Sequence, residues 1–157
     1  MENEVHAFYG NRLRVRACGI CVKNNSLLLV NHLGISKENF WAPPGGGIDF
    51  GERATESLAR EFREETGLTI ETKNFLFACE FIQAPLHAIE LFFEVTALGD
   101  RVIKGDDPEP GSPSIIREVS FMPWHEIMAL PAEQRHGIFR FLEHPSKITS
   151  LRGYFKL

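Results

Sequence analysis

The feature that most constrains this sequence is a run of three glycines that leads into an acidic helical segment. Gly45, Gly46 and Gly47 follow two prolines, and glycines let a backbone approach a ligand closely because they carry no Cβ. From Ala54 to Thr66 the apolar residues recur at helical spacing, and Gly67 follows as a typical C-cap. We therefore predict a proline-stiffened, glycine-rich loop followed by one amphipathic helix that packs on a sheet.

The predicted helix carries an unfavourable arrangement of charge. Glu61, Glu64 and Glu65 are three and four residues apart, so their carboxylates are neighbours on one face and repel each other. The last two lie in the final turn, where the helix dipole disfavours anions. A hard divalent cation such as Mg²⁺, which prefers oxygen ligands, would offset this repulsion. The alternative is a solvated acidic face on which Arg60 and Arg63 pair with the acids; the adjacent glycine run favours the metal site.

The segment at residues 46–68 resembles the Nudix box, G-x5-E-x7-R-E-U-x-E-E-x-G-U, in which U is an apolar residue. Every fixed position is matched, by Gly46, Glu52, Arg60, Glu61, Phe62, Glu64, Glu65, Gly67 and Leu68. The chain length and the flanking strand pattern also resemble a Nudix hydrolase domain across nearly the whole chain. The resemblance implies an α/β fold, an α/β/α sandwich around a mixed β-sheet, in one domain over residues 1–157. Strands on both sides of a single strong helix independently favour the same fold class.

The resemblance also implies roles for the residues of the box. Glu61, Glu64 and Glu65 would be catalytic residues and ligands of Mg²⁺ or Mn²⁺, and the carbonyl of Gly45 would be a further ligand. The structural positions of the box would be Gly46, Glu52, Arg60 and Gly67, with the Glu–Arg pair tying the loop to the helix.

The implied reaction is hydrolysis of a pyrophosphate linkage in a nucleoside diphosphate derivative by water attacking phosphorus. Metal ions suit this reaction because they neutralise the charge that builds on the phosphate oxygens. A carboxylate must then accept a proton from the water. Glu61 or Glu64 could do so, and so could a later acid. The later candidates are Glu90, Glu94, Glu109 and Glu118, of which Glu118 ranks first because it precedes a predicted strand beside the long loop at 99–114.

Candidate contacts to the substrate are less specific. Arg12, Arg14 and Arg16 alternate along a predicted strand and share one face, so Arg16 is a candidate phosphate contact; an exposed edge strand would have the same pattern. His32 and Lys37 lie on the segment that approaches the glycines and are candidates too, against the alternative of a solvated loop.

The substrate class rests on the resemblance alone. Nudix enzymes that act on ADP-ribose often carry a proline about sixteen residues after the box, and Pro85 lies seventeen residues after Leu68. ADP-ribose or a nucleotide sugar is therefore favoured over nucleoside triphosphates. The alternative function is a Nudix-fold module that binds a nucleotide without cleaving it. Such modules typically lose box carboxylates, and this chain keeps all of them.

Composition limits the class of protein and the kinds of partner that this chain can have. With 43% apolar and 24% charged residues in 157, the chain has globular composition, and no apolar run approaches the ~20 residues of a membrane span. The acidic start at residues 1–4 does not match a secretory signal, so we expect a cytoplasmic protein with no membrane partner. A net charge of −4 argues against a nucleic-acid partner and leaves a small nucleotide derivative. The resemblance makes a homodimer the expected assembly.

The rest of the chain has the pattern of a small α/β domain. Apolar runs at 14–22 and 26–31 flank a turn and predict a hairpin. Cys18 and Cys21 are three apart on a strand, so they point to opposite faces and are expected to be buried thiols rather than a metal or redox pair. Further predicted elements are strands at 74–82, 87–97 and 119–122, an exposed loop at 99–114 that sets specificity, and a final helix at 132–143.

Overall fold

The computed structural model describes residues 2–33, 39–105 and 115–157 of the chain. Its α-helices are α1 (Glu2–Tyr9), α2 (Ala54–Thr66) and α3 (Trp124–Ala129). Its strands are β1 (Arg12–Ile20), β2 (Val22–Lys23), β3 (Ser26–Leu33), β4 (Phe40–Ala42), β5 (Gly45–Gly47), β6 (Ile70–Gln83), β7 (Leu86–Ala97), β8 (Ile115–Pro123) and β9 (Gly153–Lys156). In the described ranges, no helix is both long enough and apolar enough to cross a membrane.

The strands form two sheets. The first has the order β5-β1-β7-β6-β9 and is mixed, since β1 runs parallel to β7 and antiparallel to β5. In the second sheet β3 pairs antiparallel with β2, β4 and β8. This arrangement confirms the α/β class with a mixed sheet, although the strands are divided between two sheets rather than forming one.

Helix α2 packs on the sheets through the face that the sequence predicts. Leu58, Phe62 and Thr66 are fully buried, and the first two join a cluster with Ala17 and Leu28. Burial of an apolar side chain of this size contributes about 1.5–3 kcal/mol, so this contact fixes the helix against the sheets. A second cluster, built around the stacked rings of Phe77 and Phe92, is covered from the C-terminal part of the chain by Ile127, Ile138 and Ile148.

The predicted hairpin is confirmed in part. Asn24 and Asn25 have φ of 50° and 58°, as a tight turn requires, and they join β2 to β3. Strand β1, however, pairs with β5 and β7 rather than with β3, because the chain passes from the first sheet to the second at Cys21. Cys18 and Cys21 are buried free thiols in different hydrophobic clusters, which confirms that they point to opposite faces.

The glycine run is a strand, so the prediction of a loop was wrong. Strand β5 lies antiparallel to β1, with Gly45 opposite Cys18 and Gly46 opposite Ala17. A Cβ on Gly45 would lie 2.3 Å from the carbonyl oxygen of Ala17. The two backbones can therefore pair at this distance only because the residue has no side chain.

The predicted final helix at 132–143 was also wrong. The α-helix lies earlier, at α3, and 3-10 turns at Ala132–Gln134 and Gly137–Phe141 replace the predicted one. Between these turns, Arg135 is extended and forms a bridge with Trp41, and the N–H of His136 donates to the carbonyl of Trp41 at 2.9 Å. This pairing with a distant strand takes backbone groups that a continuous helix would need.

The first part of the predicted loop at 99–114 is attached to the end of α2. The N–H of Ile103 donates to Thr66 O at 2.8 Å, and the N–H of Gly105 donates to Glu65 O at 2.9 Å. These bonds satisfy carbonyls that a helix end leaves without an intrahelical partner. Residues 106–114, which make up the rest of the predicted loop, lie outside the described residues.

Candidate active site

The box carboxylates of α2 lie directly against the glycine strand. Glu61 and Glu65 are each only 4% exposed, and Glu64 is half-buried. Oε1 of Glu65 accepts a hydrogen bond from the N–H of Gly45 at 2.8 Å. A Cβ on Gly46 would lie between 2.3 and 2.6 Å from the carboxylate atoms of Glu61. The absence of side chains on β5 therefore lets α2 bring its acids onto the strand.

Arg60 ties these acids to the segment that precedes the helix. Its Nε and Nη2 donate to the two carboxylate oxygens of Glu52 at 2.9 and 3.0 Å, the pairing that the resemblance implies. The hydrogen bond from Arg60 lowers the pKa of Glu52 to about 2. Nη1 of Arg60 donates to Glu61 at 2.8 Å and to Glu64 at 3.2 Å. One guanidinium thus neutralises part of the repulsion among three carboxylates.

Glu61 is the carboxylate most affected by its surroundings. Burial raises its pKa to about 7, although the Arg60 guanidinium acts in the opposite direction. An ionised carboxylate is costly to bury without a cation beside it. The position of Glu61 therefore favours occupation by positive charge, which Arg60 supplies here.

The donor set fits a hard divalent cation. Glu61, Glu64, Glu65 and the carbonyl of Gly45 offer only oxygen atoms, the ligands that Mg²⁺ and Mn²⁺ prefer. Among the described residues, no three His, Cys, Asp or Glu side chains converge as a ready-made metal site. Arg60 lies between two of the carboxylates, and the third accepts the N–H of Gly45. A cation would take the place of these hydrogen-bond donors.

A second buried cluster also contacts the glycine strand. Arg16 donates through Nη1 to Glu90 Oε2 at 2.6 Å and through Nη2 to the carbonyl of Gly45 at 3.1 Å. Glu90 is 5% exposed, and its Oε1 lies 2.8 Å from Nε2 of His136. Burial by itself would raise the pKa of Glu90, but His136 and Arg16 outweigh it and lower the pKa to about 2. Glu90 is thus a carboxylate held ionised by cationic and N–H partners.

The three arginines of β1 that were candidate phosphate contacts have different surroundings in the structure. Arg16 is brought to the glycine strand, whereas Arg12 donates to the carbonyl of Phe8 and the guanidinium of Arg14 lies 4.0 Å from the ring centre of Tyr9. The latter two arginines therefore contact α1, and the shared strand face that we predicted does not act as one unit.

His32 lies at the site, and two other candidates do not join it. Nε2 of His32 lies 3.9 Å from Glu65 Oε2, and burial, followed by the charge of Arg16, lowers the pKa of His32 to about 3. Glu118 is exposed on β8 and lies opposite Asn31, so its side chain shares the face of Asn31 and not that of His32. Its role as the proton acceptor stays a prediction. Lys37 lies outside the described residues.

Sequence reasoning missed His136 and did not separate Glu90 from the other later acids. His136 lies in a segment with no motif and reaches the site only through the pairing with Trp41. Glu90 offered only a weak signal, because it is one of two acids, with Glu94, in the otherwise largely apolar run of β7. A charge buried in such a run requires cationic or hydrogen-bonding partners, which here are Arg16 and His136.

Known proteins share the sequence pattern and the fold of this chain. The sequence matches the NUDIX domain family over residues 11–144. It is 32% identical over 91 residues to an ADP-ribose pyrophosphatase of Methanocaldococcus jannaschii, and this match spans 57% of the chain and 54% of that protein. The fold is similar to a NUDIX hydrolase from Nitrosomonas europaea, with a TM-score of 0.69 at 17% identity, covering 83% of this chain and 85% of that one.

A second solved structure has the same fold. The MutT NUDIX hydrolase from Burkholderia pseudomallei superimposes with a TM-score of 0.67 at 21% identity, over 85% of this chain and 98% of that chain. Both structures are similar in fold alone at these identities. The family match covers most of the sequence and includes the complete box, so the chain belongs to the Nudix hydrolase family.

Proposed function

We propose that the chain is a Mg²⁺-dependent hydrolase that cleaves the pyrophosphate linkage of a nucleoside diphosphate derivative. The observation that carries this proposal is the placement of Glu61, Glu64 and Glu65 on one face of α2, against a glycine strand whose carbonyl at Gly45 is a further oxygen donor. Three acids at the end of a helix destabilise it, and a cation offsets that cost. Mn²⁺ is a second metal that this donor set would accept.

In the proposed reaction these four donors would hold the metal, and bound metal would neutralise charge on the phosphate oxygens and acidify water. Arg16 would contact a phosphate through its guanidinium, a group that pairs well with phosphate oxygens. His32 lies beside Glu65 and, as a neutral ring, would offer a hydrogen bond without adding charge.

The proposed proton acceptor is a box carboxylate rather than Glu118. Glu61 and Glu64 belong to the proposed set of metal ligands, whereas Glu118 is exposed on β8, on the face that it shares with Asn31. If this is right, Glu118→Gln should keep its rate within about twofold of the parent, because surface substitutions away from a site have small effects. A loss of kcat with the acid limb of the pH profile removed would instead make Glu118 the base.

For the substrate we propose ADP-ribose or a related nucleotide sugar in preference to nucleoside triphosphates. The relative from Methanocaldococcus jannaschii is named an ADP-ribose pyrophosphatase, and Pro85 lies near the position where ADP-ribose enzymes of the family often carry a proline. This relative is matched over about half of its length, so its name supports the substrate class only as a proposal.

A nucleotide panel tests the proposal directly. The parent is incubated with Mg²⁺ and ADP-ribose, other nucleotide sugars or nucleoside triphosphates, and the products are separated by chromatography. We expect AMP and ribose phosphate from ADP-ribose, at a higher kcat/KM than for the triphosphates. A Glu65→Gln preparation, purified in parallel, excludes a contaminating hydrolase. Binding of ADP-ribose without turnover would instead favour the non-catalytic module.

We also propose a homodimer. Leu13 and Val15 alternate on one face of β1 and are 54% and 37% exposed, so a strip of apolar surface lies beside the first sheet. A light-scattering mass of twice 17.8 kDa would support the dimer, and a mass of 17.8 kDa at micromolar concentration would contradict it.

A further inference from the structure

A buried chain of polar contacts connects His136 to the glycine strand. Nε2 of His136 lies 2.8 Å from one carboxylate oxygen of Glu90, and the other oxygen accepts from Arg16 at 2.6 Å. Arg16 in turn donates to the carbonyl of Gly45 at 3.1 Å. His136 and Glu90 are each 5% exposed, so water competes little for these bonds. Three residues from three different parts of the chain, His136, Glu90 and Arg16, therefore form a series of contacts that ends at Gly45, a proposed metal ligand.

The tautomer of His136 is fixed by a backbone N–H two residues later in the chain. Its Nδ1 accepts the N–H of Ile138 at 3.1 Å, so in the neutral ring the proton is carried by Nε2, which donates to Glu90. The ring also packs edge-on against Phe92, with the centroids 5.5 Å apart. The imidazole thus has one orientation, and it presents an N–H to Glu90 without needing a positive charge.

Both carboxylate oxygens of Glu90 already have buried hydrogen-bond partners in the protein. Oε1 is engaged by His136, and Oε2 is engaged by Arg16 and by the thiol of Cys18 at 3.7 Å. A general base needs an oxygen that can reach the attacking water. The contacts of Glu90 instead suit a group that orients its neighbours.

Arg16 is held at two nitrogens and keeps capacity for a ligand. Its Nη1 and Nη2 each donate one of their two N–H groups, to Glu90 and to Gly45, so one N–H remains at each nitrogen; its Nε is buried and has no hydrogen-bond partner among the residues that the structure describes. Fixing a long side chain costs conformational entropy, so an arginine already held in the free protein binds phosphate at lower cost.

We propose that His136 and Glu90 are positioning residues that hold Arg16 in the orientation in which it receives a phosphate of the substrate. This inference rests on the proposed function, because it requires a substrate whose phosphate Arg16 can bind. It assigns Glu90 a different role from the proton acceptor considered for the later acids.

Three variants distinguish a positioning role of His136 and Glu90 from a purely structural role. Glu90→Gln has the same shape but lacks the charge that holds Arg16. His136→Asn keeps an oxygen that can accept the Ile138 N–H but is too short to reach Glu90. His136→Gln places its amide N–H near the position of Nε2 and reaches Glu90, but it loses the contact to Ile138. The His136 pair carries the test even if Glu90→Gln fails to fold.

The matched control is Glu80→Gln. Glu80, on β6, forms another Glu–His contact, with His87 on the neighbouring β7 at 2.7 Å, but it has no contact to Arg16 in the described residues. With ADP-ribose and Mg²⁺, this control should have the parent's KM and kcat. For Glu90→Gln and His136→Asn we expect KM to rise at least about tenfold with kcat within about threefold, and for His136→Gln a KM close to the parent's.

Two kinetic results would overturn the inference. If His136→Gln raises KM as much as His136→Asn, the residue acts through its backbone contact and not through Glu90. If Glu90→Gln lowers kcat and leaves KM unchanged, Glu90 takes part in the chemical step. Arg16→Met combined with Glu90→Gln should be no worse than Arg16→Met alone, because Glu90 would have no cation left to hold.

A readout without turnover distinguishes this inference from the proposed function. In the metal-free protein, ¹⁵N spectra of the Arg16 guanidinium should show a shift of its Nε–H when inorganic pyrophosphate is added, and Glu90→Gln should lose this response. If the parent responds in this way but hydrolyses no nucleotide, the positioning role stands and the proposed function fails. If pyrophosphate leaves the Arg16 signals of the parent unchanged, the positioning role is wrong even if ADP-ribose is hydrolysed.

Discussion

Glu61 is a buried carboxylate, so the cost of burying its charge opposes the stabilisation of that charge by its neighbours. It is 4% exposed, its carboxylate lies against Gly46, and burial raises its pKa to about 7. Arg60 stabilises its charged form through a contact of 2.8 Å. A residue chosen for stability alone would not be an acid here, because a buried charge is retained only at a cost. An acid at this position is what the proposed metal site would require.

The first prediction concerns Glu65→Gln. Glutamine can still accept the N–H of Gly45, so the contact between α2 and β5 remains while one of three repelling charges is removed. We expect the metal-free variant to melt at the same temperature as the parent or slightly higher, to lose hydrolysis by at least about 100-fold, and to gain less from added Mg²⁺. Calorimetric melts across a Mg²⁺ series, paired with rates, measure both effects.

Glu71→Gln is the control for this experiment, since Glu71 is an exposed acid paired with Lys73. It should respond to Mg²⁺ as the parent does. A Glu65→Gln protein that melts lower without metal and keeps the full Mg²⁺ response would show that Glu65 is structural. The acidic face of α2 would then be a surface feature rather than a metal site.

The second prediction concerns Gly46→Ala. The new Cβ would lie between 2.3 and 2.6 Å from the Glu61 carboxylate, so that carboxylate must move while the backbone of β5 stays paired. We expect activity to fall at least about tenfold, and the free energy of unfolding to change by no more than about 1–3 kcal/mol, the usual cost of overpacking. Rates and urea unfolding measure the two effects. The control is Gly99→Ala, where the Cβ meets nothing within 4 Å, and it should leave the rate and the free energy of unfolding unchanged. A fully active Gly46→Ala would show that activity does not require the close approach of Glu61 to Gly46.

At the scale of elements, α2 ends at a glycine that two independent constraints require. Gly67 has φ of 72°, a region that costs other residues about 1–2 kcal/mol, and a Cβ there would lie 3.1 Å from Cβ of Ile103. Gly51 has φ of 85° but open space around it. The third prediction is that Gly67→Ala lowers the free energy of unfolding more than Gly51→Ala does, as urea unfolding of both variants measures. Equal losses would mean that the contact with residues 101–105 is unimportant.

Elements with local signals could be predicted from the sequence. Helix α2, its C-cap at Gly67 and the turn at Asn24 and Asn25 depend on residues within a few positions of each other. Strand β5 and the 3-10 turns after α3 could not, because β5 depends on pairing with β1 and the turns on pairing of Arg135 with Trp41. Such tertiary contacts override the intrinsic helix and strand propensities of the residues.

The same division applies to the candidate site. The box acids could be found because their spacing of three and four places them on one helix face. Glu90 and Arg16 meet because the parallel register of β1 and β7 sets them opposite each other, and no pattern in either strand fixes that register. His136 arrives from a third segment, 46 residues after Glu90. Long-range pairing, not residue type, assembles this half of the site.

At the scale of the whole molecule, His32 links stability to pH. Burial, then the charge of Arg16, lowers its pKa to about 3, whereas an unfolded histidine titrates near 6.5. Between these values the unfolded chain binds a proton that the folded chain does not, so stability falls as pH falls from about 6.5 towards 3. Glu61, with its raised pKa, acts in the opposite direction above about pH 4.5.

The fourth prediction is that His32→Gln flattens this dependence in the metal-free protein. Relative to the variant, the parent should lose up to about 1.4 kcal/mol of unfolding free energy per pH unit below pH 6.5. Urea unfolding at pH 7, 6 and 5 measures the difference. His125→Gln, at an exposed position on α3, should follow the parent. Parallel curves for the parent and His32→Gln would mean that His32 titrates in the folded protein as it does when unfolded.

The bonds that Ile103 and Gly105 donate to the end of α2 set a limit on how this chain can be re-engineered. The segment at 99–114 is the obvious place to graft a loop with another specificity, but its first seven residues also complete the helix that carries the box acids. A Cβ at Gly105 would lie 1.6 Å from the carbonyl oxygen of Glu64, so this glycine cannot be exchanged without moving that helix end. A transplanted loop should therefore be joined after Gly105, which leaves α2 with the terminus it already has.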